Sequence, residues 1–107
     1  MVIGITVMKN AAAYYSPTFP RGGLAAVFSC EALLGTSFTL DIDVEHKNAE
    51  DTAFTTLESF AQFTTADLKT LSATAIKEQV RFKYVVGGSQ AYSSVHFNML
   101  APAWKPY

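Results

Sequence analysis

Phe38, Leu40, Ile42 and Val44 alternate with Thr39, Asp41, Asp43 and Glu45 across the stretch from Ser37 to Glu45. Successive side chains of a strand point to opposite faces, so this period of two predicts a strand with one face covered and one face wet. The pattern returns from Gln79 to Val86, with Val80, Phe82, Tyr84 and Val86 inward and Arg81 and Lys83 outward. It returns again from Tyr92 to Leu100, where Val95, Phe97 and Met99 share a face. Gly87-Gly88-Ser89 lies between these last two stretches and predicts a hairpin joining them.

Other segments fit the same class. Val2 to Met8 is β-branched and reads as a first strand, weakened by Gly4. Leu24 to Leu34 contains helix formers, yet Phe28, Cys30 and Ala32 alternate with Ser29, Glu31 and Leu33, and no good N-cap precedes them. A strand is expected there. His46 to Asp51 is a polar turn, Phe54 to Leu57 a short strand, and Ser59 to Phe63 a further extended piece. Thr64 to Ala75 holds either a helical turn or a strand through Leu68 to Ala73. Residues 9–23, with Pro17, Pro20 and Gly22-Gly23, read as an extended surface segment, and the tail 101–107 as the end of the sheet. The expectation is one all-β domain over residues 1–107, a single β-sandwich or jelly-roll-like fold of about six to eight strands.

Only 16% of the residues are charged, below the usual fraction of about 25%, which hints that another chain covers some surface. The net charge is −1, and Arg21, Lys47, Lys69, Lys77, Arg81, Lys83 and Lys105 are dispersed in sequence. Nucleic-acid binding needs clustered cations, so no nucleic-acid partner is expected. No apolar run approaches the roughly 20 residues of a membrane helix, so no membrane is expected either. Val2 to Met8 is too short for a signal sequence and lacks a basic start. The chain is expected to be made in a cytoplasm and to stay there or leave inside an assembly.

Candidate chemistry is sparse. Asp41, Asp43 and Glu45, with Glu50 and Asp51 nearby, are the oxygen ligands calcium takes. Alternate strand residues stand about 6–7 Å apart, however, and a solvated face is the expected reading. His46 and His96 lack a zinc spacing and are expected at a surface or interface. Cys30, the sole cysteine, reads as a small buried hydrophobe. There is no Gly-x-Ser-x-Gly elbow and no phosphate loop, so no catalytic, cofactor or metal residue is named and no enzyme is expected. Interaction candidates are Tyr14, Tyr15, Phe19 and Arg21 in the first extended segment, and Trp104 and Tyr107 in the tail. Two roles stay open for these aromatics: closing the chain's own core, or docking on a neighbour.

Three stretches carry a family resemblance. They are Tyr15-Ser16-Pro17-Thr18-Phe19-Pro20-Arg21-Gly22-Gly23 before a strand, Leu40-Asp41-Ile42-Asp43-Val44-Glu45-His46-Lys47-Asn48 before Phe54-Thr55-Thr56-Leu57, and Val80-Arg81-Phe82-Lys83-Tyr84 before the glycine turn. Together, over Tyr15 to Tyr107, the chain resembles small β-sandwich structural proteins of tailed bacteriophages, of the capsid decoration, cement or head-fibre kind. The resemblance implies a many-copy virion protein made in the host cytoplasm. Its implied partners are the major coat protein or neighbouring virion proteins, and it is expected to form a homo-oligomer, for instance a trimer. The alternative is a carbohydrate-binding or tail-fibre adaptor module, with Tyr14, Tyr15 or Trp104 as a stacking platform.

Overall fold

The computed structural model describes residues 3–8, 13–88 and 93–106. It contains β1 (Ile3–Met8), β2 (Tyr14–Tyr15), β3 (Phe19–Pro20), β4 (Ala25–Thr36), β5 (Phe38–Lys47), β6 (Thr55–Ser59), β7 (Asp67–Ala73), β8 (Gln79–Gly88), β9 (Ser94–Met99) and β10 (Ala103–Lys105). No described residue is helical. Alternation therefore outweighs the helix propensity of the alanines in β4, and the segment around Leu68 is a strand.

The strands form two antiparallel five-stranded sheets. One has the order β1-β9-β4-β10, with β7 on the opposite side of β4; the other has the order β2-β8-β5-β6, with β3 also against β8. β9 and β10 pair with successive stretches of β4, residues 30–36 and then 25–27. β2 and β3 likewise follow each other along β8, at residues 83–84 and 79–80. Each pair acts as one interrupted strand, which reduces the ten elements to eight positions. In chain order those positions are arranged 1-8-3-6 in one sheet and 2-7-4-5 in the other. That wiring, two Greek keys folded face to face, is a jelly roll.

The inner faces meet in a buried apolar core. β8 supplies the bulky Phe82 and Tyr84, while β4 opposite supplies the smaller Ala26, Cys30 and Ala32 beside Phe28. Rings interlock between sheets: Tyr84 stands edge-on to Phe97 at 5.1 Å, and Phe28 edge-on to Phe82 at 5.9 Å. Large against small lets two layers interdigitate without voids.

Two expectations need correction. β8 and β9 do not form a hairpin, since they lie in different sheets. Both bury one face in the same core, so their alternation is identical whether they pair or oppose each other. The link between them is a crossover from sheet to sheet, of which residues 89–92 fall outside the described residues. Beside it the β4–β5 crossover turns at Ser37, whose φ of 47° is left-handed, and the buried Ser93 hydroxyl donates to the Ser37 carbonyl at 2.8 Å.

The second correction concerns the ends. The tail does not merely terminate the sheet: Ala103, Trp104 and Lys105 pair with Val27, Ala26 and Ala25. The segment 9–23 likewise contributes β2 and β3. Between them Ser16 clamps the edge, its N–H donating to the Phe82 carbonyl at 2.9 Å and its hydroxyl accepting from the Phe82 N–H at 2.8 Å.

Trp104 closes one end of the core, edge-on to Phe28 at 6.0 Å and to Phe19 at 6.4 Å. Gly22 makes room for it: a Cβ there would stand 2.6 Å from the indole. Truncating a buried Trp costs about 3–5 kcal/mol. Because Trp104 is half-buried, Trp104→Ala is expected to cost about 3 kcal/mol in urea denaturation with an unchanged slope. A loss under about 0.5 kcal/mol, the level of an ordinary surface substitution, would detach Trp104 from the core.

Candidate interaction surface

The outer face of the β2-β8-β5-β6 sheet carries the most polar chemistry. Antiparallel register sets Asp43 opposite Lys83 and Glu45 opposite Arg81, and opposite charges across a ladder attract. The carboxylates that invited a calcium reading each meet a donor. Asp41 accepts from Gln62 Nε2 at 3.2 Å, Asp43 from the Ser59 hydroxyl at 2.7 Å, and Glu45 from Arg81 Nε at 2.8 Å. Among the described residues, no three His, Cys, Asp or Glu side chains are grouped to hold a metal ion.

Arg81 is the centre of this face. Its guanidinium carbon lies 4.2 Å from the Tyr15 ring centroid and 4.1 Å from that of Phe54. Guanidinium groups are attracted to the negative faces of aromatic rings, by about 0.5–1 kcal/mol per contact at exposed sites. Tyr15 reaches Arg81 because the two-residue β2 turns Tyr14 inward and Tyr15 outward, with Tyr15 beside Lys83. Phe54 sits just before β6, and the Lys47 ammonium lies 5.5 Å from the same ring. One cation thus ties the β2 edge and the loop before β6 to the sheet's centre.

A second polar cluster closes the end of the sandwich near the 48–51 turn. His46 is buried, contrary to its expected surface role, because it continues the inward row of Leu40, Ile42 and Val44 and lies opposite the buried Val80. Its Nδ1 accepts from the Lys77 N–H at 3.1 Å. Lys77 pairs with Asp51 at 3.6 Å, Asp51 accepts from the Asn48 N–H at 2.8 Å, and Glu78 accepts from the Ala49 N–H at 3.0 Å. Burial, and then the Lys77 ammonium, hold the His46 imidazole below its ordinary value, against a smaller opposite pull from Asp51.

Two groups inside the core are inert. Burial, with Glu31 adding to it, pushes the Cys30 thiol up to about 12, and a protonated thiol is a core side chain and no nucleophile. Burial also raises the Tyr84 phenol, against a smaller opposing pull from the Ser16 hydroxyl.

The structure separates the interaction candidates. Tyr14, Phe19 and Trp104 pack against the core. Arg21 is exposed, but its guanidinium donates to the Ile76 carbonyl at 2.5 Å and its N–H to the Glu78 carbonyl. Tyr107 lies outside the described residues. Tyr15 alone is both well exposed, at 51%, and placed in a polar cluster. Sequence reading missed Arg81, Phe54 and Glu45 as a group. The one available signal was the outward position of Arg81 and Glu45 on their strands, and only the register brings them together. Apolar exposure on the other sheet comes from Leu33, Leu34 and Leu68, with Leu34 and Leu68 the most open.

His46 gives a pH test. Near neutrality both folded and unfolded chains hold it uncharged. As pH falls through the ordinary value of 6.5, the unfolded chain takes up a proton that the folded chain resists, so stability declines. His46→Gln keeps an acceptor but cannot titrate, and should lose less stability than the wild type between about pH 7 and about pH 5. Parallel curves from urea melts would contradict this. Comparison with protein-family models, curated proteins and solved structures finds no match for the chain.

Proposed function

We propose that the chain is a structural binding protein of a tailed-phage virion, a capsid decoration or cement protein that binds and stabilises the coat lattice. The strand order carries this reading. A jelly roll is an architecture used by viral coat and lectin domains, and the sequence resemblance selects the first. Architecture by itself does not assign function, so the surface chemistry matters as well. The low charge content and the exposed Leu34 and Leu68 suit a protein that assembles with coat subunits and with copies of itself.

The carbohydrate alternative draws less support. It requires a coplanar row of exposed rings, but Tyr14 and Trp104 face the core and Tyr15 is stacked on Arg81. Its ordinary test is a glycan array.

The direct test is co-sedimentation of the purified chain with empty phage heads assembled from coat protein, together with analytical ultracentrifugation of the chain alone. Saturable binding at many copies per head, and an oligomer in solution, are the expected results. A strict monomer with no affinity for heads would overturn the proposal.

A further inference from the structure

The geometry points to the outer edge of Arg81 as a built binding point for a carboxylate of a partner polypeptide, an acidic side chain or a chain terminus. A guanidinium offers two faces and a fork of N–H donors. Here Tyr15 covers one ring contact and Phe54 the other, at 4.2 and 4.1 Å. Glu45, whose side chain is 10% exposed, takes the Nε–H at 2.8 Å. The terminal nitrogens make no hydrogen bond or ion pair among the described residues, although the Arg81 side chain remains 27% exposed. Two parallel N–H donors on one edge match the two oxygens of a carboxylate.

The surroundings select that ligand. Tyr15 and Phe54 hold the plane in place, so little side-chain freedom remains to be lost on binding. Glu45 and Asp43 stand on the neighbouring strand, which disfavours a doubly charged phosphate more than a single carboxylate. Exposed ion pairs bring little affinity when both side chains are mobile; an arginine already fixed by two rings and a buried carboxylate avoids that cost. This inference deepens the binding reading by naming the chemistry its partner presents, and it rests on that reading for the identity of the partner.

The test follows the Arg81 Nε–H and the Tyr15 ring by NMR in the full-length chain while sodium acetate replaces sodium chloride at constant ionic strength. Both signals should move saturably with a midpoint on the order of 10 mM, the scale of a charge-assisted contact to one small anion. Arg81→Lys keeps the charge but lacks the fork, and should abolish saturation at Tyr15 while the amide spectrum stays folded. Glu45→Gln keeps the Nε acceptor, removes the competing charge, and should tighten the midpoint several-fold. A non-saturating drift, an unchanged midpoint in Glu45→Gln, or saturation by inorganic phosphate but not by acetate would overturn the assignment. Acetate saturation without head binding would sink the virion reading alone. Head binding without acetate saturation would sink this inference alone.

Discussion

The fold depends on one apolar layer between two sheets, filled from both sides by strands whose residues alternate. β5 and β8 pair along their whole length, from Phe38 opposite Gly88 to Lys47 opposite Gln79. Their inner residues, from Leu40 to Val44 and from Val80 to Val86, meet those of β4 and β9. Burying about 25 cal/mol of favourable transfer energy per Å2 of apolar surface is what a chain of this size has to set against its conformational entropy. The complementarity is specific: β8 brings large rings where β4 brings Ala and Cys. An inward substitution that reverses that order would overpack one layer and leave a void in the other.

Once both inner faces are committed, the outer faces and the open ends carry everything else. At one end the Trp104 indole sits over Gly22 with Phe19 and Phe28 around it. The rim near the 48–51 turn is closed by the polar latch of His46, Lys77, Asp51 and Glu78. Two segments rich in proline and aromatic residues, which look available for a partner, supply the short edge strands β2, β3 and β10 of the chain's own sheets. What remains for interaction is smaller and better defined: the Tyr15–Arg81–Phe54 stack on one sheet and the exposed leucines on the other.

The class of fold was legible because period-two alternation survives any tertiary context. Phe38, Leu40, Ile42 and Val44, then Val80, Phe82, Tyr84 and Val86, then Val95, Phe97 and Met99 all face inward, as their spacing requires. β4 was legible for the same reason, against the propensity of its alanines. Pairing was not legible. Alternation reports which face is buried but not which strand lies alongside, so β8 and β9 read as neighbours when they belong to opposite sheets. Arg81 and Glu45 were hidden by the same limit, since 36 positions separate them and only the register sets them opposite each other. His46 obeys the same alternation, inward after Val44 and opposite Val80, and was misplaced because its polarity was weighed above its position.

The strand order is the central claim, because the jelly-roll wiring and the Arg81 cluster both follow from it. Cross-strand NOEs between backbone protons in the full-length chain test it directly. The order predicts connectivities from Ile42 to Tyr84 and from Cys30 to Met99, together with Ala26 to Trp104. A continuous ladder joining Val86 to Ser94 and onward along β8 and β9 would show them paired as a hairpin, and would contradict the fold described for this chain.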